Sequence, residues 1–157
     1  MTAPTSRRPS VANSAAPSAA LSSEAPPTAA WQERYLIGHP RIDREHRLFF
    51  DIVAAFSEGC RQRLGRDALI SLLEEVLLFA KFHFRSEENV MQALGFAGLE
   101  AHRALHEQLV QRLGRVIVGV KLGRYKPEEI DAFLVQWLVR HVTHEDARIT
   151  GGGPAPA

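Results

Sequence analysis

The chain has 157 residues, about the length of one domain, so a two-domain enzyme with a cleft between its domains is disfavoured. Its 19 basic and 18 acidic side chains are interleaved and give a formal net charge of +1, which disfavours binding to nucleic acid. The lone Cys60 excludes an internal disulfide and a thiolate cluster. No uncharged stretch of the folded part reaches the roughly 20 apolar residues that span a bilayer, so no membrane partner is expected.

The chain begins with a tail of Ala, Pro, Ser and Thr, which together fill 23 of the first 30 positions. Such a segment buries too little apolar surface to offset the entropy cost of ordering, so we predict disorder over 1–30. A second flexible tail is expected over 151–157, because it consists of Gly, Pro and Ala. The folded domain is therefore predicted over 31–150.

Arg7 and Arg8 raise the question of a twin-arginine export signal. Pro9 and Ser10 follow the pair directly, and further polar residues interrupt the apolar region that export requires. We therefore expect a cytoplasmic protein.

After the tail, the stretch Trp31 to Arg41 has no periodicity but carries large apolar side chains, which predicts an ordered arm packed across the domain. Four segments with apolar residues at three-and-four spacing follow, and no segment alternates like a strand. These helices are predicted over about 43–64, 67–94, 99–121 and from 127 onward, and Gly95 and Gly123 are predicted to stop the second and third of them. Short connections favour antiparallel neighbours, so the fold class is all-α, an up-down-up-down four-helix bundle with an N-terminal arm.

Histidine interrupts the apolar face of every predicted helix. A single buried histidine is usually satisfied by hydrogen bonds within the core, but five on converging faces lack enough partners among the surrounding Leu, Val and Phe. A divalent metal ion would accept one lone pair from each imidazole, and the other ring nitrogen would bond a nearby acceptor. The histidines concerned are His46, His83, His102, His106 and His141.

Spacing adds carboxylates to this set. His83 and Glu87 are four residues apart, so they lie one helical turn apart on one face, as do His102 and His106. Asp146 lies five residues beyond His141, about 140° away around an ideal α-helix.

Either Asp146 reaches in from the flank or the helix is locally altered at this point. His144 and Glu145 lie closer to the helical stripe and compete with Asp146 as ligands.

Five imidazoles and two carboxylates are too many ligands for one ion, whereas two six-coordinate ions that share bridging groups would use them all. Soft thiolate ligands are absent, and the abundance of histidine excludes an all-oxygen calcium or magnesium cage. A mixed nitrogen and oxygen site favours iron first, then manganese or zinc.

These motifs resemble the hemerythrin family, specifically the single-domain bacterial hemerythrins, over about residues 31–149. The family pattern consists of an aromatic arm, I-D-x-x-H, H-F-x-x-E-E, H-x-x-x-H and W-L-x-x-H-x-x-x-x-D. In this chain the motifs read Ile42-Asp43-Arg44-Glu45-His46, His83-Phe84-Arg85-Ser86-Glu87-Glu88, His102-Arg103-Ala104-Leu105-His106 and Trp137-Leu138-Val139-Arg140-His141 with Asp146.

The resemblance implies two iron ions. Its ligand set assigns His102, His106 and His141 to one ion and His46 and His83 to the other, and Glu87 and Asp146 bridge the ions with an oxo or hydroxo group. It also favours Asp146 over Glu145.

One position departs from the pattern, because Glu45 stands where many members have Gln. Since Glu45 lies off the stripe, we expect it to face solvent with little effect on the site. His39 and His144 fall outside the ligand pattern and are interpreted as non-ligands.

The ligand count leaves one iron five-coordinate, and this open position predicts reversible dioxygen binding, with dioxygen held as hydroperoxide. Storage, delivery or sensing of oxygen is the leading hypothesis, and the protein is not expected to be an enzyme. The alternatives are a di-iron redox enzyme (an oxidase, peroxidase or nitric-oxide reductase) and a sensor module that acts through a partner protein. Apolar wall residues would exclude water. The candidates, each of which is better explained as ordinary core, are Phe49, Phe50, Phe79 and Trp137.

Overall fold

The computed structural model describes residues 29–151. Four α-helices account for most of this part of the chain, and they are α1 (Pro40–Arg61), α2 (Arg66–Ala93), α3 (Leu99–Lys121) and α4 (Pro127–Arg140). A 3₁₀ turn over Glu33–Tyr35 precedes them, and a π-helical turn over His141–Glu145 and a 3₁₀ turn over Asp146–Arg148 follow. No strand occurs within residues 29–151, so the all-α prediction is confirmed.

The helices form a bundle in which α1 packs against α2 and α4, and α2 packs against α3. The connections between successive helices have only four or five residues, as an up-down-up-down bundle requires. Gly95 and Gly123 adopt positive φ angles of 65° and 69° just after α2 and α3 end, where a residue without a Cβ atom is favoured. Both predicted stops are therefore confirmed.

The beginning of α1 differs from the sequence prediction by one turn. The helix starts at Pro40 rather than about Asp43, because proline suits the first helical position. His39 precedes it, and its Nδ1 accepts a hydrogen bond from the Ile42 backbone N–H at 3.4 Å. His39 therefore serves as the N-cap of α1.

The arm packs against the bundle as predicted. Tyr35 is buried, and its ring stacks on Phe50 with 4.7 Å between centroids. Trp31 meets the edges of both rings, and the Arg47 guanidinium lies 4.9 Å from the Trp31 ring centroid. Ala29, assigned by composition to the disordered tail, is also buried against this core. Most of the two predicted tails, 1–28 and 152–157, lies outside the described residues.

The two halves of the bundle interior differ in character. At the end where α1 and α3 finish, the core is apolar, and its buried side chains include Phe56, Leu69, Leu73, Val76, Leu113, Ile117, Val120 and Ile130. At the opposite end the buried face is interrupted by polar side chains. Within residues 29–151, none of the helices combines the length and the apolar composition needed to cross a bilayer.

Candidate metal centre

The seven side chains that the sequence singles out lie together at the end of the bundle where α1 and α3 begin. None of these seven residues is more than 4% exposed. Helix α1 contributes His46, α2 contributes His83 and Glu87, α3 contributes His102 and His106, and the turns after α4 contribute His141 and Asp146. Antiparallel packing explains the convergence, because it brings the first turns of α1 and α3 beside the last turns of α2 and α4.

The seven residues form two groups in which all donor atoms lie within 4.8 Å of one another. Glu87 and Asp146 belong to both groups. The larger group adds His102, His106 and His141, and the smaller adds His46 and His83. The arrangement can therefore hold two metal ions side by side with both carboxylates between them.

The position of Asp146 is explained by a local change in the helix. The backbone after Arg140 becomes π-helical, and the Asp146 N–H donates to the carbonyl of His141 five residues earlier. In this geometry residues five apart lie one above the other, so the carboxylate comes to the same face as His141. Asp146 Oδ1 lies 3.1 Å from His141 Nε2. Of the two alternatives, the locally altered helix is the one that the structure shows, and a reach from the flank is not needed.

The two competing residues in this turn lie elsewhere. His144 is exposed, and its Nδ1 lies 2.8 Å from Thr143 Oγ1 and 3.2 Å from the Arg140 carbonyl. Glu145 lies 3.6 Å from the Arg148 guanidinium. Neither belongs to the groups of candidate metal ligands found within the described residues.

Many buried polar atoms of the cluster lack a hydrogen-bond partner within the described part of the chain. They include the Nε2 atoms of four histidines, both Asp146 carboxylate oxygens and Glu87 Oε1. Several histidine nitrogens lie only 3.1–3.3 Å from carboxylate oxygens of the cluster. The contact of His102 with Glu87 has the geometry of a hydrogen bond, but most of these contacts do not. Buried lone pairs that converge without donors fit bound cations.

The carboxylates at the centre remain ionised. Burial would raise the pKa of Asp146 and of Glu87, but the close contacts with the surrounding histidines, and the charges of those histidines, outweigh it. The pKa of Asp146 therefore lies well below its usual range, and that of Glu87 is also lowered. The site thus presents negative charge to a cation.

Two histidines respond to this environment in opposite directions. Burial would lower the pKa of His102, but its contacts with Asp146 and Glu87 raise that pKa to about 9. Burial dominates at His141 and lowers its pKa to about 4. A metal ion therefore finds the His141 lone pair free at neutral pH but must displace a proton from His102.

The structure shows that the prediction of a solvent-facing Glu45 is wrong. Its side chain is only 12% exposed, and Oε2 lies 3.0 Å from His83 Nδ1. Glu88 makes the equivalent contact from α2, with Oε1 3.1 Å from His106 Nδ1. Sequence analysis missed both contacts because they join different helices. The sequence did carry one signal for each contact, because Glu45 and Glu88 are each next in the chain to a candidate ligand, His46 and Glu87 respectively.

Aromatic rings surround the histidines. Phe79 is parallel to His83 and Trp137 is nearly parallel to His141, with centroids 6.4 Å and 5.9 Å apart respectively. Phe84 was not predicted, yet it stacks on His106 with 3.9 Å between centroids. Of the other predicted wall residues, Phe49 meets the edge of His83, whereas Phe50 packs against the arm.

Comparisons with known proteins agree with this geometry. The profile of the hemerythrin HHE cation binding domain matches residues 38–150. The chain is 26% identical to a bacteriohemerythrin of Pseudomonas paraeruginosa over 117 residues, 74% of this chain and 76% of the relative. It is 30% identical to hemerythrin subunit alpha of Lingula anatina over 122 residues, 78% of this chain and 92% of the relative. A bacteriohemerythrin of Clostridium acetobutylicum is 25% identical over 122 residues, 74% of this chain and 94% of the relative. The chain belongs to the hemerythrin family.

Proposed function

We propose that this protein binds dioxygen reversibly at a di-iron centre and serves in oxygen storage, delivery or sensing. The observation that carries the proposal is the pair of buried donor groups that share two ionised carboxylates and present unpartnered lone pairs. Five imidazoles with two carboxylates form a mixed nitrogen and oxygen ligand set. Such a set suits iron better than it suits calcium or magnesium, which prefer oxygen ligands alone.

In this proposal the three-histidine group, His102, His106 and His141, holds one iron. The two-histidine group, His46 and His83, holds the other. Glu87 and Asp146 contribute to both ions, as does an oxo or hydroxo bridge. The unequal histidine count matters because it leaves the second ion one protein ligand short. Dioxygen would enter at that position.

When bound, ferrous iron supplies an open coordination position and the electrons that hold dioxygen. The protein contributes the rest. Its ionised carboxylates balance the positive charge that would otherwise be costly to bury. Phe49 and Phe79 pack against His83, and Trp137 packs against His141, so that water is kept from both groups. Exclusion of water favours release of intact dioxygen over oxidation of the centre.

The decisive experiment is anaerobic reconstitution with ferrous iron, followed by a count of iron per chain and visible spectra during cycles of oxygenation and degassing. We expect two irons and an absorption band that appears with oxygen and disappears without it. Rapid, irreversible oxidation in the first cycle, or steady consumption of a reductant, would instead indicate a redox enzyme. Reversible binding would leave carrier and sensor roles to be separated by a search for a protein partner.

Two variants make this test specific. His106→Ala removes a ligand from the three-histidine group, so we expect it to lose one iron and the reversible band. His144→Ala removes an exposed histidine of the same chain and serves as the matched control, with two irons and an unchanged spectrum. Two irons and a normal oxygen spectrum in His106→Ala would contradict the ligand assignment.

We also propose that the protein acts in the cytoplasm. The single Cys60 thiol, which has no disulfide partner in the described residues, is compatible with a reducing compartment and supports this placement. Cell fractionation with an antibody against the protein would test it, and recovery in an exported fraction would contradict it.

A further inference from the structure

Each group of candidate ligands contains one histidine whose outer ring nitrogen faces a carboxylate from a neighbouring helix. His83 Nδ1 lies 3.0 Å from Glu45 Oε2, and His106 Nδ1 lies 3.1 Å from Glu88 Oε1. An ionised carboxylate can only accept, so the Nδ1–H of each histidine donates. The Nε2 lone pair of each ring is then directed to the interior, where it has no partner in the described part of the chain.

Glu45 is itself held in place on its other oxygen. Ser86 Oγ donates to Glu45 Oε1 at 2.6 Å, and Arg41 Nε lies 3.2 Å from the same atom. The contact with His83 therefore uses a carboxylate that is already oriented, with a side chain only 12% exposed. An oriented, weakly solvated anion polarises an N–H donor more strongly than one free in water.

The two groups depend on this support to different degrees. In the two-histidine group, the Nδ1 of the second histidine, His46, has no hydrogen-bond partner among the described residues. Among the described residues, Glu45 is thus the one side chain that hydrogen-bonds to the outer ring nitrogen of a histidine in this group. The three-histidine group has Glu88 at His106, but it also retains two further imidazoles.

We infer that Glu45 is a positioning residue that fixes the tautomer and orientation of His83 and so secures the metal ion of the two-histidine group. This inference rests on the proposed di-iron function. The negative charge of Glu45 strengthens the Nε2 lone pair of His83 as a donor to the ion, a role that a neutral amide fills less well. Because His83 belongs to one group only, the effect falls on one of the two ions.

The test compares the rate at which ferrous iron leaves the anaerobic protein when a colorimetric chelator is added. We expect Glu45→Gln to speed release of one ion about tenfold and to leave the other ion at the wild-type rate. Ser86→Ala should speed the release of the same ion by a smaller factor, because it removes a hydrogen bond that holds Glu45 but keeps the charge of Glu45. Circular dichroism and the unfolding midpoint of the metal-free variants check that the fold is intact.

Glu88→Gln is the matched control, because it makes the same change at His106. It should speed the release of the ion in the three-histidine group, by a smaller factor. The double variant Glu45→Gln/Glu88→Gln should therefore release both ions faster than the wild type. An unchanged rate in Glu45→Gln, or equal acceleration of both ions, would overturn the inference.

The outcome is separable from that of the oxygen experiment. A wild-type protein that holds two irons but shows no reversible oxygen spectrum would contradict the proposed function, while the release rates would still test Glu45. A wild-type protein that holds fewer than two ions would overturn both.

Discussion

The two ends of the bundle are built on the same helices but differ in how their interiors are satisfied. At the end where α1 and α3 finish, side chains such as Phe56, Leu73 and Leu113 fill the core and need no partner beyond one another. At the other end, equally buried histidines and carboxylates leave lone pairs unpartnered. Burial stabilises apolar groups but costs free energy for polar groups without partners. The apolar end can therefore stabilise the fold by itself, whereas we expect the polar end to depend on bound ions.

The largest change in stability is expected when iron binds to the polar end. Ions that bind only the folded state should raise the free energy of unfolding by about 4 kcal/mol per site when free iron exceeds its dissociation constant about a thousandfold. Chemical denaturation under anaerobic conditions, with and without ferrous iron, measures the gain. His144→Ala should gain as much as the wild type and His141→Ala less. An identical unfolding curve with and without iron would show that the polar end needs no ions.

The apolar end should contribute to the free energy of unfolding independently of iron. Leu73 is fully buried there, so Leu73→Ala removes packed methyl groups and leaves a cavity. We expect the free energy of unfolding to fall by about 2–5 kcal/mol whether or not iron is present. The iron count per chain should stay at two. Loss of iron from this variant would mean that the two ends are not independent.

The pH dependence of the metal-free protein sharpens the comparison. The pKa of His102 is raised from 6.5 to about 9 in the folded state, so its protonation adds stability below pH 6.5 that is lost as pH rises through 9. The loss should be of order 3 kcal/mol and is measured by denaturation at several pH values.

Two comparisons check this assignment. His102→Gln should flatten the slope, and a slope equal to that of the wild type would contradict it. Iron-loaded protein should instead gain stability as pH rises, since metal binding requires deprotonated histidines.

The smallest change in the free energy of unfolding is expected for a substitution at the boundary between the two ends. Phe84 stacks on His106 on one side and lines an apolar cavity of about 10 Å³ on the other. Phe84→Leu should lower the free energy of unfolding by about 1 kcal/mol, because it loses ring stacking but keeps most apolar contact. Phe82→Leu, on the same helix but 55% exposed, is the control and should change it by less than about 0.5 kcal/mol. Equal effects would show that the stacking does not contribute.

Helical periodicity by itself determined the four helices and placed candidate metal ligands on their buried faces. This succeeded because residues four apart, such as His83 with Glu87 and His102 with His106, share a face of any regular helix. Gly95 and Gly123 also marked the helix ends through local backbone preference alone. These features depend on short stretches of chain, so the sequence is sufficient to predict them.

Only the tertiary structure decided the rest of the centre. The π-helical turn after Arg140 brings Asp146 to the face of His141, which a regular helix would not do. The contact between Glu45 and His83 joins α1 to α2 and depends on the rotation of each helix about its axis. Sequence periodicity fixes which face of a helix is buried, but not which atoms of two buried faces meet, because that is set by how the helices pack together.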